Sequence, residues 1–90
     1  MNDQEYIRTH RPDEVVQIDS PSQGMFDRGY SSEMSVYALA GPADEYIVEI
    51  IEYEYYNGHP MEGGCMRRDI STDIRHVDRQ ELERLKRSAR

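Results

Sequence analysis

The stretch Glu45-Tyr46-Ile47-Val48-Glu49-Ile50-Ile51-Glu52-Tyr53-Glu54-Tyr55-Tyr56 constrains the fold more than any other part of this chain. It contains four of the seven tyrosines, three isoleucines and a valine, four carboxylates and no basic residue. Read as a strand, it puts Tyr46, Val48 and Ile50 on one face and Ile51, Tyr53 and Tyr55 on the other. The apolar phase slips between Ile50 and Ile51, as a β-bulge would make it do. Read as a helix, it has a stripe of Tyr46, Ile47, Ile50 and Ile51, with Asn57-Gly58 as a C-cap. The β-branched and aromatic content favours the strand.

The segments on either side suit an antiparallel meander. Glu33 to Ala40 alternates, with Met34, Val36 and Ala38 opposite Tyr37 and Leu39, and Gly41-Pro42-Ala43-Asp44 forms a compact turn. Asn57 to Gly64 reads as a hairpin loop, and residues 65–71 return as a weakly patterned third strand. Glu14 to Asp19 is a short edge-strand candidate between Pro12 and Ser20-Pro21. Residues 20–32 read as a loop whose Met25, Phe26 and Tyr30 are expected to pack down on the core.

The C-terminus carries the clearest helix signal. Asp78 and Glu81 stand as N-cap and N3 of a capping box, with Val77 and Leu82 as the hydrophobic staple. Leu82, Leu85 and Ala89 form an apolar stripe at helical spacing, and Arg84, Lys86, Arg87 and Arg90 gather where they complement the macrodipole. The spacing predicts a helix over 79–88 that lays Leu82 and Leu85 on one sheet face and leaves the other for solvent or a partner. The expected class is therefore α+β: a small antiparallel meander of three to four strands packed by one C-terminal α-helix. Residues 1–90 read as one small domain, with 1–13 a polar, flexible N-terminal arm.

Charge narrows the function. The net charge is −7, but residues 1–64 hold thirteen acids against three arginines, while residues 65–90 hold five acids against eight bases. A sequence pI near 4.8 opposes direct binding of nucleic acid, because phosphate is repelled at long range. With 37% hydrophobic residues, the chain would gain burial from a homodimer or a bound partner. The single Cys65 forms no internal disulfide, and no segment reads as a signal peptide or membrane span. These features suggest a soluble cytoplasmic protein, in a host cell if phage-encoded.

No cofactor, metal or catalytic motif stands out. His10, His59, Cys65 and His76 lack the close pairing that zinc sites use. Cys65 with His59 or His76 as base would make a minimal nucleophilic pair, but no helix N-terminus or motif supports one. The glycines at 58, 63 and 64 do not sit between a strand and a helix, so they read as turn residues. The candidate site is instead a partner-binding surface of Glu45, Glu49, Glu52, Tyr53, Glu54, Tyr55 and Tyr56. Tyrosine rings stack on a partner's Arg or Lys while neighbouring carboxylates pair with its charge. The bland reading is a solvated acidic face that only maintains solubility.

By its length, its acidic first two-thirds and its Glu/Tyr strand, the chain resembles the small acidic inhibitors encoded by bacteriophages and mobile elements, the anti-CRISPR proteins among them. The likeness is one of type and carries no site residue over. It implies a non-enzymatic inhibitor whose acidic face occupies a basic surface of a nucleic-acid-processing complex. The basic C-terminal helix departs from an all-acidic nucleic-acid mimic and favours a protein-specific contact. The alternative is a dimeric adaptor or regulatory subunit with the tyrosine-rich sheet face as its interface.

Overall fold

The computed structural model describes residues 2–58 and 64–88. The centre of the expected 57–64 loop, with His59, and the Ala89 and Arg90 positions of the expected helix stripe and charge cluster lie outside them. Helix α1 (Asp3–Thr9) is followed by strands β1 (Glu14–Gln17), β2 (Arg28–Ala38), β3 (Glu45–Asn57) and β4 (Cys65–Asp78), then helix α2 (Arg79–Arg87). The strands form one antiparallel sheet in the order β1-β2-β3-β4. The domain is the α+β meander with a C-terminal helix that the pattern predicts.

The registers assign each residue to a face. Ala38 pairs with Tyr46 and Tyr46 with Val77, Val36 with Val48, and Met34 with Ile50. These residues share the face on which α2 lies. Met34, Val36, Tyr46, Val48, Val77 and Leu82 form the buried cluster there, with Val16, Ile18, Ile50 and Leu85 packed around it. Asp78 caps α2 through its side chain, which accepts from the Glu81 N–H at 2.8 Å, and three basic residues close the last turn. The Asp78 N-cap, the burial of Leu82 and the packing of Leu85 against the cluster agree with the sequence reading, while the Glu81 carboxylate pairs with Arg84 at 2.8 Å.

The second face is covered too, unlike the expectation. Residues 3–9, read as part of an arm, form α1 over Tyr37, Glu49 and Ile74. Asn2 caps α1 by accepting from the Glu5 N–H at 2.9 Å. So short a helix is marginal alone, and tertiary contacts hold it. The Tyr6 hydroxyl donates to the Ala38 carbonyl, its ring meets Tyr37 edge-on at 6.3 Å, and Asp3 reaches His76 at 2.8 Å.

Three further expectations change. The apolar slip in β3 is not a bulge of that strand, since β2 and β3 pair without interruption from Arg28↔Tyr56 to Ala38↔Tyr46. Both faces of β3 are apolar because both are covered. The irregularity lies on β4, where Ser71 pairs with Glu52 and Asp69 with Tyr53, so that Ile70 is the extra residue. Strand β4 also runs on to Asp78, and β2 begins within the expected loop, at Arg28. Finally, Met25, Phe26 and Tyr30 are 60%, 53% and 68% exposed instead of packed on the core. Main-chain and side-chain bonds pin the loop from Ile18 to Asp27. Ser22 N–H donates to the Tyr55 hydroxyl at 2.9 Å, and the Asn57 amide to the Ser22 and Gly24 carbonyls.

The sheet is long for its helices. β3 has thirteen residues and α2 nine, which correspond to roughly 43 Å of strand against about 14 Å of helix. The Cα radius of gyration is 15.2 Å, against about 12 Å for a compact chain of this length. Helix α2 therefore covers only the end of its sheet face nearest Asp78. The distal end, around Arg28, Tyr56 and Met66, lies beyond its reach.

Candidate functional site

Strand alternation divides the expected partner-binding residues between two surfaces. Glu52, Glu54 and Tyr56 project on the α2 side. Glu45, Glu49, Tyr53 and Tyr55 project on the α1 side. The seven do not form one face.

On the α1 side the tyrosines are engaged within the chain. Tyr53 is 6% exposed, and its hydroxyl accepts from the Gln17 amide at 3.0 Å, which also donates to Ser31 Oγ and the Ser32 carbonyl. The Arg67 guanidinium lies 4.0 Å above the Tyr53 ring, bonded to Glu33 at 2.7 Å and Asp69 at 2.8 Å. Those bonds, Glu33 first, hold Arg67 still more firmly protonated than an ordinary arginine. Tyr55 is roofed by the 18–27 loop through Ser22, and its ring lies against Gly29, where an added Cβ would sit 3.0 Å from the hydroxyl. A cleft of about 450 Å³ opens beside Tyr53 and Tyr55, lined also by Ser22, Met25, Cys65 and Arg67. The exposed Cys65 stands at its rim. Among the described residues no group of three or more His, Cys, Asp or Glu side chains is arranged to hold a metal ion.

Glu49 sits half-buried near α1, beside Ile7, Arg8, Thr72 and Ile74. Burial pushes its carboxyl above the ordinary value of 4.5, and the nearby charges of Asp69 and Glu33 add to the effect. A carboxyl that the fold prefers protonated binds more protons folded than unfolded, so stability falls as pH rises from the ordinary value through the raised one. Glu49→Gln is therefore expected to raise the melting temperature at pH 7 and to leave it nearly unchanged below pH ~4, where both states are protonated. Thermal melts of both proteins across that range check the sign. A Tm at pH 7 equal to or lower than that of the parent would refute it.

The α2 side presents a different surface at its distal end. Tyr30 pairs with Glu54 and Arg28 with Tyr56, while Glu54 faces Arg68 and Tyr56 faces Met66 across β4. Tyr30 is 68% and Met66 64% exposed, and Glu52 is exposed with no ion pair among the described residues. Arg28 lies over the Tyr56 ring at 5.2 Å, and Arg68 approaches Glu54 at 3.6 Å. Both partners of that second pair are substantially solvated, so the pair contributes little to stability and is free to rearrange. The sequence reading included Glu52, Glu54 and Tyr56 in a single seven-residue surface but missed Tyr30, Arg28 and Met66. These join the patch only through pairing between strands far apart in sequence.

Comparison with protein-family models, curated proteins and solved structures returns no match. Among the described residues no helix is long and apolar enough to cross a membrane. A functional reading therefore rests on surface chemistry.

Proposed function

We propose that this protein is a non-enzymatic, protein-binding inhibitor. It docks the distal, helix-free end of its α2-side sheet face onto a basic surface of a nucleic-acid-processing complex. One observation carries the reading: Tyr30, Glu52, Glu54 and Tyr56 share a sheet face that α2 stops short of. Tyr30 is two-thirds exposed opposite Glu54, whose ion pair with Arg68 is solvated, and near Glu52, which has no ion pair among the described residues. Glu52 and Glu54 supply charge to a partner's Arg or Lys side chains, and Tyr30 and Tyr56 supply rings on which those side chains stack. The net charge of −7 steers the approach. The mode of action matches the small acidic inhibitors of phages and mobile elements: a competitor's carboxylates fill a channel meant for phosphate.

The test is capture of the target complex by tagged protein, repeated at high salt and with two variants. Wild type is expected to retain a nucleic-acid-binding complex at physiological salt and release it near 1 M, where the screening length falls to about 3 Å. Glu52→Lys with Glu54→Lys is expected to abolish capture. Tyr30→Ala is expected to weaken it by about thirtyfold if Tyr30 is a hot spot worth ~2 kcal/mol. All three side chains lie outside the buried cluster, so circular dichroism should report an intact fold. Equal capture by a folded double variant would remove this surface from the function.

A further inference from the structure

The outer edge of β4 is a fourteen-residue strand with no neighbour on its far side among the described residues. Its free hydrogen-bonding groups can be assigned. Leu39 N–H donates to the Glu45 carbonyl, Asn57 N–H to the Asp27 carbonyl, and Phe26 N–H to the Asn57 carbonyl. Odd-numbered residues of β3 thus turn their main-chain groups to β2, and even-numbered ones to β4. Through the β3–β4 register, Ser71, Asp73, Arg75 and Val77 bond to β3. Thr72, Ile74 and His76 direct N–H and C=O outward.

We infer that this segment pairs antiparallel with the same segment of a second copy, about a two-fold axis through Ile74, to make one continuous eight-stranded sheet. The inference is independent of the function proposed above, which uses the opposite end of the sheet.

For an axis within residues 71–75, symmetry and charge select the register. A two-fold axis perpendicular to a sheet keeps each side chain on its own face, so the axis must pass through a residue meeting its own copy. With the axis at Asp73, two carboxylates meet, and at Arg75, two guanidinium groups meet. Like charges directly opposite are destabilising. At Ser71, Asp69 meets Asp73, and at Thr72 the bulged Ile70 must pair with Ile74. Bulges at an edge terminate regular pairing, so this register is disrupted.

With the axis at Ile74, Asp73 faces Arg75 of the second copy twice over. Ile74 meets Ile74, and Thr72 meets His76. Ile74 then forms a hydrogen-bonded pair with its copy, and Thr72 another with His76 of the second copy, using the groups that point outward. Asp73 and Arg75 already pair within the chain at 2.8 Å and are about half exposed, so the two copies close a four-charge ring on the α2 side. On the other side, α1 places Gln4 and Ile7 beside Ile74, adding area next to the axis.

The experiment is sedimentation equilibrium of the full chain over a wide concentration series. Wild type is expected to double in mass as concentration rises. Asp73→Arg and Arg75→Asp are each expected to remain at monomer mass, and the double exchange to recover the dimer. As an independent readout, Ile74→Cys in a Cys65→Ser background should form an intermolecular disulfide on mild oxidation. The paired Cα atoms would lie about 5.5 Å apart, within disulfide range. Arg68→Cys in the same background should not cross-link. Wild type at monomer mass throughout overturns the inference, as does a dimer that both single charge variants leave intact.

Discussion

Leu82→Ala is expected to lower the unfolding free energy by about 2–5 kcal/mol, the range for truncating a large buried aliphatic side chain. That is a large share of the roughly 5–13 kcal/mol that a chain of this size has in total. Leu82 is 2% exposed and is the residue by which α2 enters the sheet cluster, against Met34, Val36, Tyr46, Val48 and Val77. The helix has other ties: Arg79 to Tyr46 and Asp44, and Lys86 to Glu14 at 2.7 Å. These are mostly solvent-exposed pairs and do not replace a buried leucine. Chemical denaturation followed by circular dichroism checks the size of the loss. A change below about 1 kcal/mol would mean that α2 is not a principal cover of this face.

On the opposite face, Tyr53→Ala is expected to cost about 3–5 kcal/mol, as for other buried aromatic truncations. Tyr53→Phe should cost only about 0.5–1.5 kcal/mol, the net value of one hydrogen bond. The contrast separates ring from hydroxyl. The ring lies between the sheet and the Arg67 guanidinium, while the hydroxyl accepts one of several bonds from the Gln17 amide, with others going to Ser31 and Ser32 of β2. Removing the ring also leaves Arg67 with Glu33 and Asp69 but without its platform, so loss should extend to the β3–β4 pairing at the bulge. Equal losses in the two variants would show that the hydroxyl, and not packing, holds this part of the sheet. Together, Leu82 and Tyr53 test whether the sheet is stabilised from both sides.

Much of the fold was legible because its signals are local. The capping residues Asp78 and Glu81, the Leu82 and Leu85 spacing and the Gly41-Pro42 turn each act within a few residues. Helix α1 carried the same kind of signal in Asn2 and Glu5. It went unread because the seven-residue helix depends on Tyr37, Ala38 and His76, which only tertiary structure brings near. The slip at Ile50 and Ile51 was seen correctly as two apolar faces in succession. Its cause, covering layers on opposite sides of one unbroken strand, was not in the local pattern.

The candidate surface shows the same division. The alternation of β3 by itself determined that Glu52, Glu54 and Tyr56 emerge together and that Tyr53 and Tyr55 turn the other way. Which side would be buried depended on where α1, α2 and the 18–27 loop come to rest, and on Arg67 crossing to Glu33 from 34 residues away. The sequence determined the meander of the three longer strands, the Asp78 cap and the charge asymmetry, because propensity and hydrogen bonding between near neighbours act along the chain. Only the tertiary structure decided that Tyr53 is core and Tyr30 is surface. Burial is set by what packs over a side chain, and here a helix of about 14 Å lies on a sheet roughly three times as long.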